Sequence, residues 1–309
     1  MIFLTGATGF VGSCVAMKSA LGIRCAVRHN SKAVPLQADV FFIDSLSPET
    51  NWQGAFKGVE AVIHLAARAH VFNNPVDEFR QINVAATLHL ARQAALNGVK
   101  RFVFVSSIGV NGSENERPFN EDDIPRPSGP YAISKFEAEK GLWEIAKETG
   151  LEVVVIRPPL VIGPNAPGNF GLLIRAVCKG IPLPLGLIHN KRSIVSLENL
   201  ADFILLCAQH QKAANETFCI ADDEDISTPK LLKLLAVAMG KPSRLISVSP
   251  AILKFTAAMI GKRAVFDKVC GSLRVDSSKA KRLLNWHPRL TTSAQIILIA
   301  EKLKADSIA

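Results

Sequence analysis

The sequence predicts an α/β protein built on a doubly wound parallel sheet, with a smaller α/β lobe towards the carboxyl terminus. Apolar runs alternate with helical patterns through the first half of the 309 residues, as a parallel sheet with helices on both faces requires. A glycine-rich turn directly follows the first apolar run. Hydrophobic residues make up 48% of the chain and charged residues 20%, which is sufficient for a large core.

The predicted elements alternate in chain order. Apolar runs predict strands near residues 2–5, 23–28, 40–43, 60–64, 101–105 and 152–156. Helical spacing predicts helices near residues 11–21, 75–97 and 130–149. After Arg157, prolines at 158, 159, 164, 167, 182 and 184 mark loops, interrupted by a helical stretch from Phe170 to Cys178.

The turn after the first strand has the spacing Gly-x-x-Gly-x-x-Gly. Glycines permit a tight turn, let a backbone amide approach a pyrophosphate and allow close helix packing, while the helix N-terminus attracts phosphate. The common spacing is Gly-x-Gly-x-x-Gly, so a turn that only reverses the chain is the alternative. The loop predicts a Rossmann-type dinucleotide site whose cofactor contacts are Gly6, Thr8, Gly9, Phe10, Val11 and Gly12.

The only tyrosine of the chain, against 16 phenylalanines, is Tyr131, four residues before Lys135. On a helix these side chains share one face, where the ammonium favours the phenolate. We expect Lys135 and a positive nicotinamide ring to lower the tyrosine pKa from its reference value of about 10. Tyr131 is therefore predicted to exchange a proton with a substrate oxygen. A merely packed tyrosine is the alternative.

Two serines, Ser106 and Ser107, follow the predicted strand at residues 101–105. Parallel α/β sheets place their sites at the carboxyl ends of strands, so a serine hydroxyl there can meet the tyrosine and the nicotinamide. A strand-end hydroxyl bonded to the backbone is the alternative.

Short motifs spread along nearly the whole chain occur together in one protein family. They are Gly6-Gly9-Gly12, His64-Leu65-Ala66-Ala67, Asn83, Ser106-Ser107, Tyr131-x-x-x-Lys135 and the runs 157–164, 192–195, 276–279 and 284–286. In these motifs the chain resembles the extended short-chain dehydrogenases/reductases, the branch of nucleotide-sugar epimerases and reductases. The runs 180–186 and 189–193 resemble bacterial reductases that act on UDP-4-keto-6-deoxy-N-acetylglucosamine.

The resemblance implies that Ser107, Tyr131 and Lys135 are catalytic. Ser107 is chosen over Ser106 because the family's hydroxyl precedes two residues and then Val-Tyr-Gly. Here that tripeptide is Val110-Asn111-Gly112, with Asn111 in place of the usual tyrosine.

The resemblance also implies further binding residues. Asp44 and Ser45 would contact adenine. Additional cofactor contacts would come from Leu65, Ala66, Ala67, Tyr131, Lys135 and Pro158. Arg192 would bind the substrate diphosphate through its fork of donors, with Ser107, Asn169 and Arg274 as other substrate contacts; a solvated surface arginine is the alternative.

The end of the second predicted strand bears on the choice of cofactor. A carboxylate there would bind the ribose hydroxyls of NAD, whereas a cation would pair with the extra phosphate of NADP. The strand ends in Arg28, and the first acid after it is Asp39. The sequence therefore favours NADP(H), with NAD(H) as the alternative and a solvated Arg28 as the simpler explanation.

Composition limits the partners and the location. The net charge is +9, but no run of five basic residues accompanies it, so no nucleic-acid partner is predicted. The six cysteines are scattered and the histidines form no metal motif, so free thiols and no metal are predicted. No stretch suits stable membrane insertion. Since the first strand leaves no room for a signal peptide, we expect a cytoplasmic enzyme.

The leading functional hypothesis is NADPH-dependent reduction of the 4-keto group of a UDP-linked deoxy amino sugar in surface-polysaccharide biosynthesis. The alternative is an NAD-dependent UDP-hexose 4-epimerase, and a third hypothesis is an inactive dinucleotide-sensing protein. Ile108-Gly109 stand where related 4,6-dehydratases carry Asp-Glu, and neither can move a proton, which disfavours a dehydratase.

The resemblance also implies a domain division and an assembly. Residues 1–163 and about 187–212 would form the dinucleotide domain, where the segment 192–209 returns to the main sheet. Residues about 164–186 and 213–309 would form the substrate lobe. A homodimer is expected through two helices, one of which contains Tyr131.

Overall fold

The computed structural model describes residues 1–20, 22–31, 39–69 and 76–306. Within these residues the strands are β1 (Ile2–Thr5), β2 (Ile23–Arg28), β3 (Asp39–Ile43), β4 (Ala61–His64), β5 (Arg101–Val105), β6 (Glu152–Arg157), β7 (Leu160–Ile162), β8 (Ile194–Ser196) and β9 (Glu216–Cys219). The main sheet has seven parallel strands in the order β3-β2-β1-β4-β5-β6-β9. This arrangement confirms the predicted doubly wound α/β class.

Helices cover both faces of this sheet and build the carboxyl-terminal lobe. They are α1 (Phe10–Lys18), α2 (Val76–Arg80), α3 (Ala86–Leu96), α4 (Pro130–Thr149), α5 (Gly168–Cys178), α6 (Leu197–Gln209), α7 (Thr228–Ala238), α8 (Pro250–Met259), α9 (Arg263–Cys270), α10 (Ser278–Leu284) and α11 (Thr292–Asp306). No helix in the described ranges is both long and apolar enough to cross a bilayer.

The strands are apolar because the sheet is buried on both faces, as parallel sheets are. Every residue of β1 and β4 is buried, and Leu4 of β1 lies in register with Cys25 and Ile63 of its neighbours. One core packs α1 and α6 against the sheet, and a second core packs α3 and α4 against the opposite face. All six predicted strands are present, with ends shifted by at most about one residue.

The helix predicted at residues 75–97 is interrupted. A π-helical turn, Gln81–Ala85, separates α2 from α3, and such turns occur often at functional sites. The prediction for residue 75 lies outside the described residues, as does residue 21 of the predicted helix 11–21. The predicted helix at 130–149 coincides with α4.

Two segments differ from the predicted domain division. Ile194–Ser196, expected in the main sheet, instead pairs with Leu160–Ile162 as a separate two-stranded sheet. The helix α6 that follows does pack on the main sheet, through buried Leu200 and Ile204. Glu216–Cys219, assigned to the lobe, pairs with β6 as the seventh strand. The division into two domains stays a proposal, now with this strand counted in the sheet.

Candidate active site

The predicted site residues follow the carboxyl ends of consecutive strands in the main sheet. The glycine loop follows β1, Arg28 ends β2, Asp44-Ser45 follow β3, Leu65-Ala66-Ala67 follow β4, Ser107 follows β5 and Pro158 follows β6. Because the strands are parallel, these six points share one edge of the sheet, where open α/β folds bind their ligands.

The glycine loop is packed too tightly for side chains at two positions. Gly6 has φ +77°, and a Cβ there would lie 2.8 Å from the amide nitrogen of Ala66. A Cβ on Gly12 would lie 2.0 Å from the carbonyl oxygen of Gly6. Helix α1 begins at Phe10 without a side-chain cap, so its first N–H groups are free to bind phosphate. The residues present therefore fit a dinucleotide.

Replacing Gly12 with alanine is expected to weaken dinucleotide binding by tenfold or more, an order-of-magnitude figure for a misplaced phosphate contact. In an unstrained helix, replacing glycine with alanine would stabilise the protein by about 1 kcal/mol. A loss of dinucleotide binding would therefore come from the clash of the new Cβ with Gly6. Titration calorimetry with NAD(H) and NADP(H) measures it. Gly22→Ala, whose added carbon would approach only Met1 at 4.0 Å, is the matched control. Equal binding by both variants would contradict the assignment of the loop.

Tyr131 and Lys135 lie one turn apart near the start of α4, as predicted. Gly129, with φ +84°, precedes the helix, and Pro130 occupies its first turn, where the fixed φ of proline suits a helix start. Lys135 is 2% exposed. Its ammonium donates to the carbonyl oxygen of Val105 at 2.8 Å and lies 4.4 Å from the centroid of the Phe104 ring. The lysine therefore joins α4 to the end of β5.

The expected lowering of the tyrosine pKa is not produced by the protein alone. Burial raises the pKa of Tyr131 to about 12. Burial also lowers the pKa of Lys135 to about 7, an effect that the carboxylate of Glu139 opposes. The lysine nitrogen is 5.9 Å from the centroid of the tyrosine ring and bonds to Val105 instead. Both groups are desolvated, so Lys135 alone does not lower the pKa of Tyr131. The contribution expected from the nicotinamide ring stays a prediction.

The two serines at the end of β5 are in different surroundings. The Ser107 hydroxyl oxygen accepts from the amide of Gly109 at 3.1 Å, which leaves its hydrogen free to donate. A Cβ on Gly109 would lie 3.4 Å from Cβ of Ala132, so the turn after Ser107 packs on the first turn of α4. Ser106 is buried, and its hydroxyl has no partner in the described part of the chain. These contacts bring the Ser107 turn to the segment that carries Tyr131.

Asn83, in the π-helical turn, holds the start of α4. Its side-chain amide donates to the hydroxyl of Ser134 at 3.0 Å, and that hydroxyl donates to the carbonyl oxygen of Tyr131 at 2.8 Å. The amide oxygen of Asn83 accepts from the backbone of Arg68 at 2.7 Å. The side chain thus connects the segment after β4 to the helix of the tyrosine, which is a structural role.

Histidine 64 lies below the site rather than in it. His64 is fully buried, and its two ring nitrogens lie 2.7 Å from the hydroxyl of Thr5 and 2.9 Å from that of Thr87. Burial lowers its pKa to about 3, so the ring is neutral near pH 7. The small residues after it, Leu65 to Ala67, are the ones that lie at the sheet edge.

A buried polar network beside α4 was missed by the sequence reasoning. Arg157, at the end of β6, forms two hydrogen bonds to the Glu139 carboxylate, at 3.1 and 2.6 Å. A third runs from Arg157 to the side-chain oxygen of Asn111 at 3.1 Å, and Asn111 donates to the backbone of Asn120. Three of these residues, Glu139, Arg157 and Asn111, are buried. No local spacing signals this network, because its members lie in separate elements.

The predicted cofactor-selecting residues are on the surface. Arg28 is exposed at the end of β2. The next residue, His29, stacks on Phe42 with 5.0 Å between ring centroids and lies 4.0 Å from the exposed carboxylate of Asp44. Asp44 and Ser45 border a cleft of about 420 Å³ beside the edge strand β3. Arg28 is therefore accessible to a ligand, but its exposure also suits a solvated arginine.

The predicted substrate residues lie in different surroundings. Arg192 donates to the carbonyl oxygen of Gly271 at 2.8 Å and has no acidic partner among the described residues; burial lowers its pKa. Arg274 is paired instead with Asp225 at 2.6 Å. Asn169 lies in α5, but its side chain is outside the described residues. Of these two arginines, only Arg192 lacks an acidic partner within the described residues.

The comparisons with known proteins agree with this architecture. A sequence profile described as "NAD dependent epimerase/dehydratase family" matches residues 2–221, which include the glycine loop, both serines and the Tyr131–Lys135 pair. The chain belongs to the NAD dependent epimerase/dehydratase family. This membership confirms the predicted family and makes the chain an NAD(P)-dependent enzyme of that type.

Individual members of this epimerase/dehydratase family resemble the chain along most of its length. A UDP-glucose 4-epimerase of Vibrio cholerae is 42% identical over 302 residues, covering 94% of this chain and 91% of that protein. A GDP-6-deoxy-D-mannose reductase of Pseudomonas aeruginosa is 30% identical over 256 residues, covering 76% and 79%. The crystal structure of UDP-glucose 4-epimerase from Thermotoga maritima with UDP-glucose has a TM-score of 0.80 at 25% identity, covering 99% of both chains.

Proposed function

We propose that the protein is an NAD-dependent 4-epimerase of UDP-hexoses. The observation that carries the proposal is the 42% identity, over 94% of this chain, to a UDP-glucose 4-epimerase. The geometry supports it, since Lys135 bonds to the end of β5 and the turn after Ser107 packs on the first turn of α4, at the sheet edge that carries the glycine loop. This reverses the order of the two hypotheses from the sequence, where the reductase came first.

In this proposal Tyr131 takes the proton from the C4 hydroxyl and later returns a proton to the same oxygen, once C4 has the opposite configuration. The hydroxyl hydrogen of Ser107 donates to the same oxygen as negative charge develops. Lys135 holds the start of α4 against β5 through its hydrogen bond to Val105, and its nitrogen lies 5.9 Å from the centroid of the tyrosine ring. NAD, held by the glycine loop, would supply the hydride acceptor at C4 and a positive ring that favours the phenolate.

In the epimerase proposal, the other predicted substrate residues keep the roles expected for them. Arg192 binds the UDP diphosphate, supported by its lack of an acidic partner within the described residues. Arg274 contributes less, because Asp225 already neutralises it. Ile108, buried at 5% exposure, offers no acid at the position where elimination would need one. A role in polysaccharide synthesis, a cytoplasmic location and a homodimer stay predictions.

A second candidate, the NADPH-dependent 4-keto reductase, is favoured by one observation. The strand that would contact the adenosine ribose ends in exposed Arg28 rather than an acid. A guanidinium pairs well with a phosphate and poorly replaces the carboxylate that binds ribose hydroxyls.

Replacing Arg28 with alanine is expected to weaken NADPH binding by about tenfold, since a hydrogen bond to a charged group contributes about 1.5–3 kcal/mol. NADH binding should change by less than about twofold, because it lacks the phosphate. Fluorescence titration of both reduced cofactors measures the difference. Equal effects on NADH and NADPH would show that Arg28 is only a solvated arginine.

The proposed function is tested with purified protein, UDP-glucose and NAD. We expect the sugar nucleotide to reach an equilibrium of UDP-glucose and UDP-galactose, with no net change in nicotinamide absorbance. A parallel reaction with NADPH and UDP-4-keto-6-deoxy-N-acetylglucosamine tests the reductase. Oxidation of NADPH with a product heavier by two hydrogens, and no epimerisation, would replace the proposal by the second candidate.

A further inference from the structure

The hairpin formed by α8 and α9, residues 250–270, contributes no buried side chain to the protein interior. Neither helix contains a buried residue. Four large apolar side chains, those of Ile252, Phe255, Met259 and Ile260, are between 57% and 73% exposed. Helices on globular proteins normally bury their apolar stripe, and contiguous exposed apolar patches mark interaction sites. These exposed side chains therefore form a candidate docking surface.

The stripe faces away from the rest of the hairpin. Ile252, Phe255 and Met259 are spaced i, i+3, i+7, which places them within an arc of about 60° on a helix of 3.6 residues per turn. The half-buried residues of the same part of α8, Leu253 and Ala257, lie on another side. Because α8 contacts α9, that side is the packed one, and the apolar stripe is open to solvent.

The hairpin also carries positive charge. Lys254, Lys262 and Lys268 are exposed, and none forms an ion pair with any described residue. The fourth cation, Arg263, pairs with Asp267 at 3.1 Å. That aspartate is the only acidic residue in the hairpin. The hairpin thus exposes both apolar and cationic side chains. A purely apolar partner would not complement the positive charge.

We propose that this hairpin docks the protein on the surface of an anionic lipid bilayer. Phenylalanine and aliphatic side chains beside lysines are the pattern of interfacial helices, in which the apolar face enters the boundary between headgroups and acyl chains. The lysines keep their ammonium groups at the anionic headgroups. The attachment is peripheral. It does not depend on the proposed epimerase activity.

Docking would place the substrate lobe next to the lipid surface. The residue after α9, Gly271, accepts hydrogen bonds from Arg192 at 2.8 Å and from the side chain of Asn190 at 3.1 Å. The hairpin is therefore tied directly to the arginine proposed to bind the diphosphate. A membrane contact at the stripe would hold this part of the lobe close to the bilayer.

The test is co-sedimentation of the full chain with two kinds of vesicle, phosphatidylcholine alone and phosphatidylcholine with phosphatidylglycerol. We expect binding to the anionic vesicles that weakens with added salt, and much weaker binding to the neutral ones. The double variant Phe255→Gln/Met259→Gln should bind the anionic vesicles about tenfold less tightly or worse. The matched control is Met17→Gln/Leu96→Gln, whose apolar side chains are 80% and 77% exposed elsewhere; it should bind like the unaltered protein.

Two outcomes would overturn the proposal. The first is equal binding by the hairpin variant and its control, or no binding to anionic vesicles at all. The second is a self-associated protein that the hairpin variant converts to monomers while vesicles bind neither form, since a second copy of the chain would then cover the stripe. Should the hairpin variant fail to fold by circular dichroism, Lys254→Gln/Lys262→Gln replaces it, with weaker binding and a smaller salt dependence expected.

Discussion

Replacing Tyr131 with phenylalanine is expected to lower kcat by about 10²- to 10⁴-fold, the usual contribution of a positioned general acid or base. The phenol hydroxyl has no hydrogen-bond partner in the part of the chain that the structure describes, so its removal should leave stability unchanged. Phenylalanine keeps the ring over which the Lys135 nitrogen lies at 5.9 Å. The loss should therefore appear in catalysis and not in folding.

The measurement is the initial rate of sugar-nucleotide conversion, together with the thermal midpoint and the affinity for NAD. Ser107→Ala provides a graded comparison. That variant should reduce kcat less, since it removes one donor to the substrate oxygen and leaves the tyrosine in place. Full activity of the Tyr131→Phe protein would remove the tyrosine from the reaction.

Replacing Glu139 with alanine is expected to destabilise the fold by about 3–5 kcal/mol, because it leaves a buried guanidinium without its charge partner. Glu139 and Arg157 are 2% and 5% exposed, and two hydrogen bonds join them. The pair also fixes Asn111 near the Ser107 turn. Urea unfolding measures the loss.

The same helix provides a matched control. Glu137 accepts two hydrogen bonds from Arg80, at 3.0 and 2.7 Å, but this pair is on the surface. Exposed pairs contribute little, so Glu137→Ala should lose far less stability than Glu139→Ala. The double variant Glu139→Met/Arg157→Met should recover part of the loss, because no charge stays unpaired. Equal losses at residues 137 and 139 would show that burial does not govern this pair.

The features that sequence reasoning found are local in the chain. The glycine loop covers seven consecutive residues, and Tyr131 and Lys135 are one helical turn apart, so spacing alone predicts their proximity. The strands of the sheet are continuous apolar runs, which is why all six were found. The pattern of strands also predicts where the site lies, because parallel strands bring their carboxyl ends to one edge of the sheet.

The features that sequence reasoning missed depend on contacts between distant segments. Arg157 meets Glu139 and Asn111 only after β5, α4 and β6 have assembled. The seventh strand, Glu216–Cys219, could not be separated from the lobe because only its pairing with β6 assigns it to the sheet. The pKa of Lys135 follows from burial, which spacing does not report. Likewise, only tertiary packing pairs Arg274 with Asp225 and leaves Arg192 without an acidic partner among the residues that the structure describes.

The most direct test of the central claim, reversible oxidation at C4 of a UDP-hexose, uses UDP-glucose labelled with deuterium at C4. The protein is incubated with this substrate and NAD, and the UDP-galactose formed is analysed by mass and by proton NMR. We predict that the product retains the deuterium at C4, since the hydrogen removed from one face is returned to the other within the same site. An unchanged substrate, together with oxidation of NADPH by a 4-keto sugar nucleotide, would contradict the account.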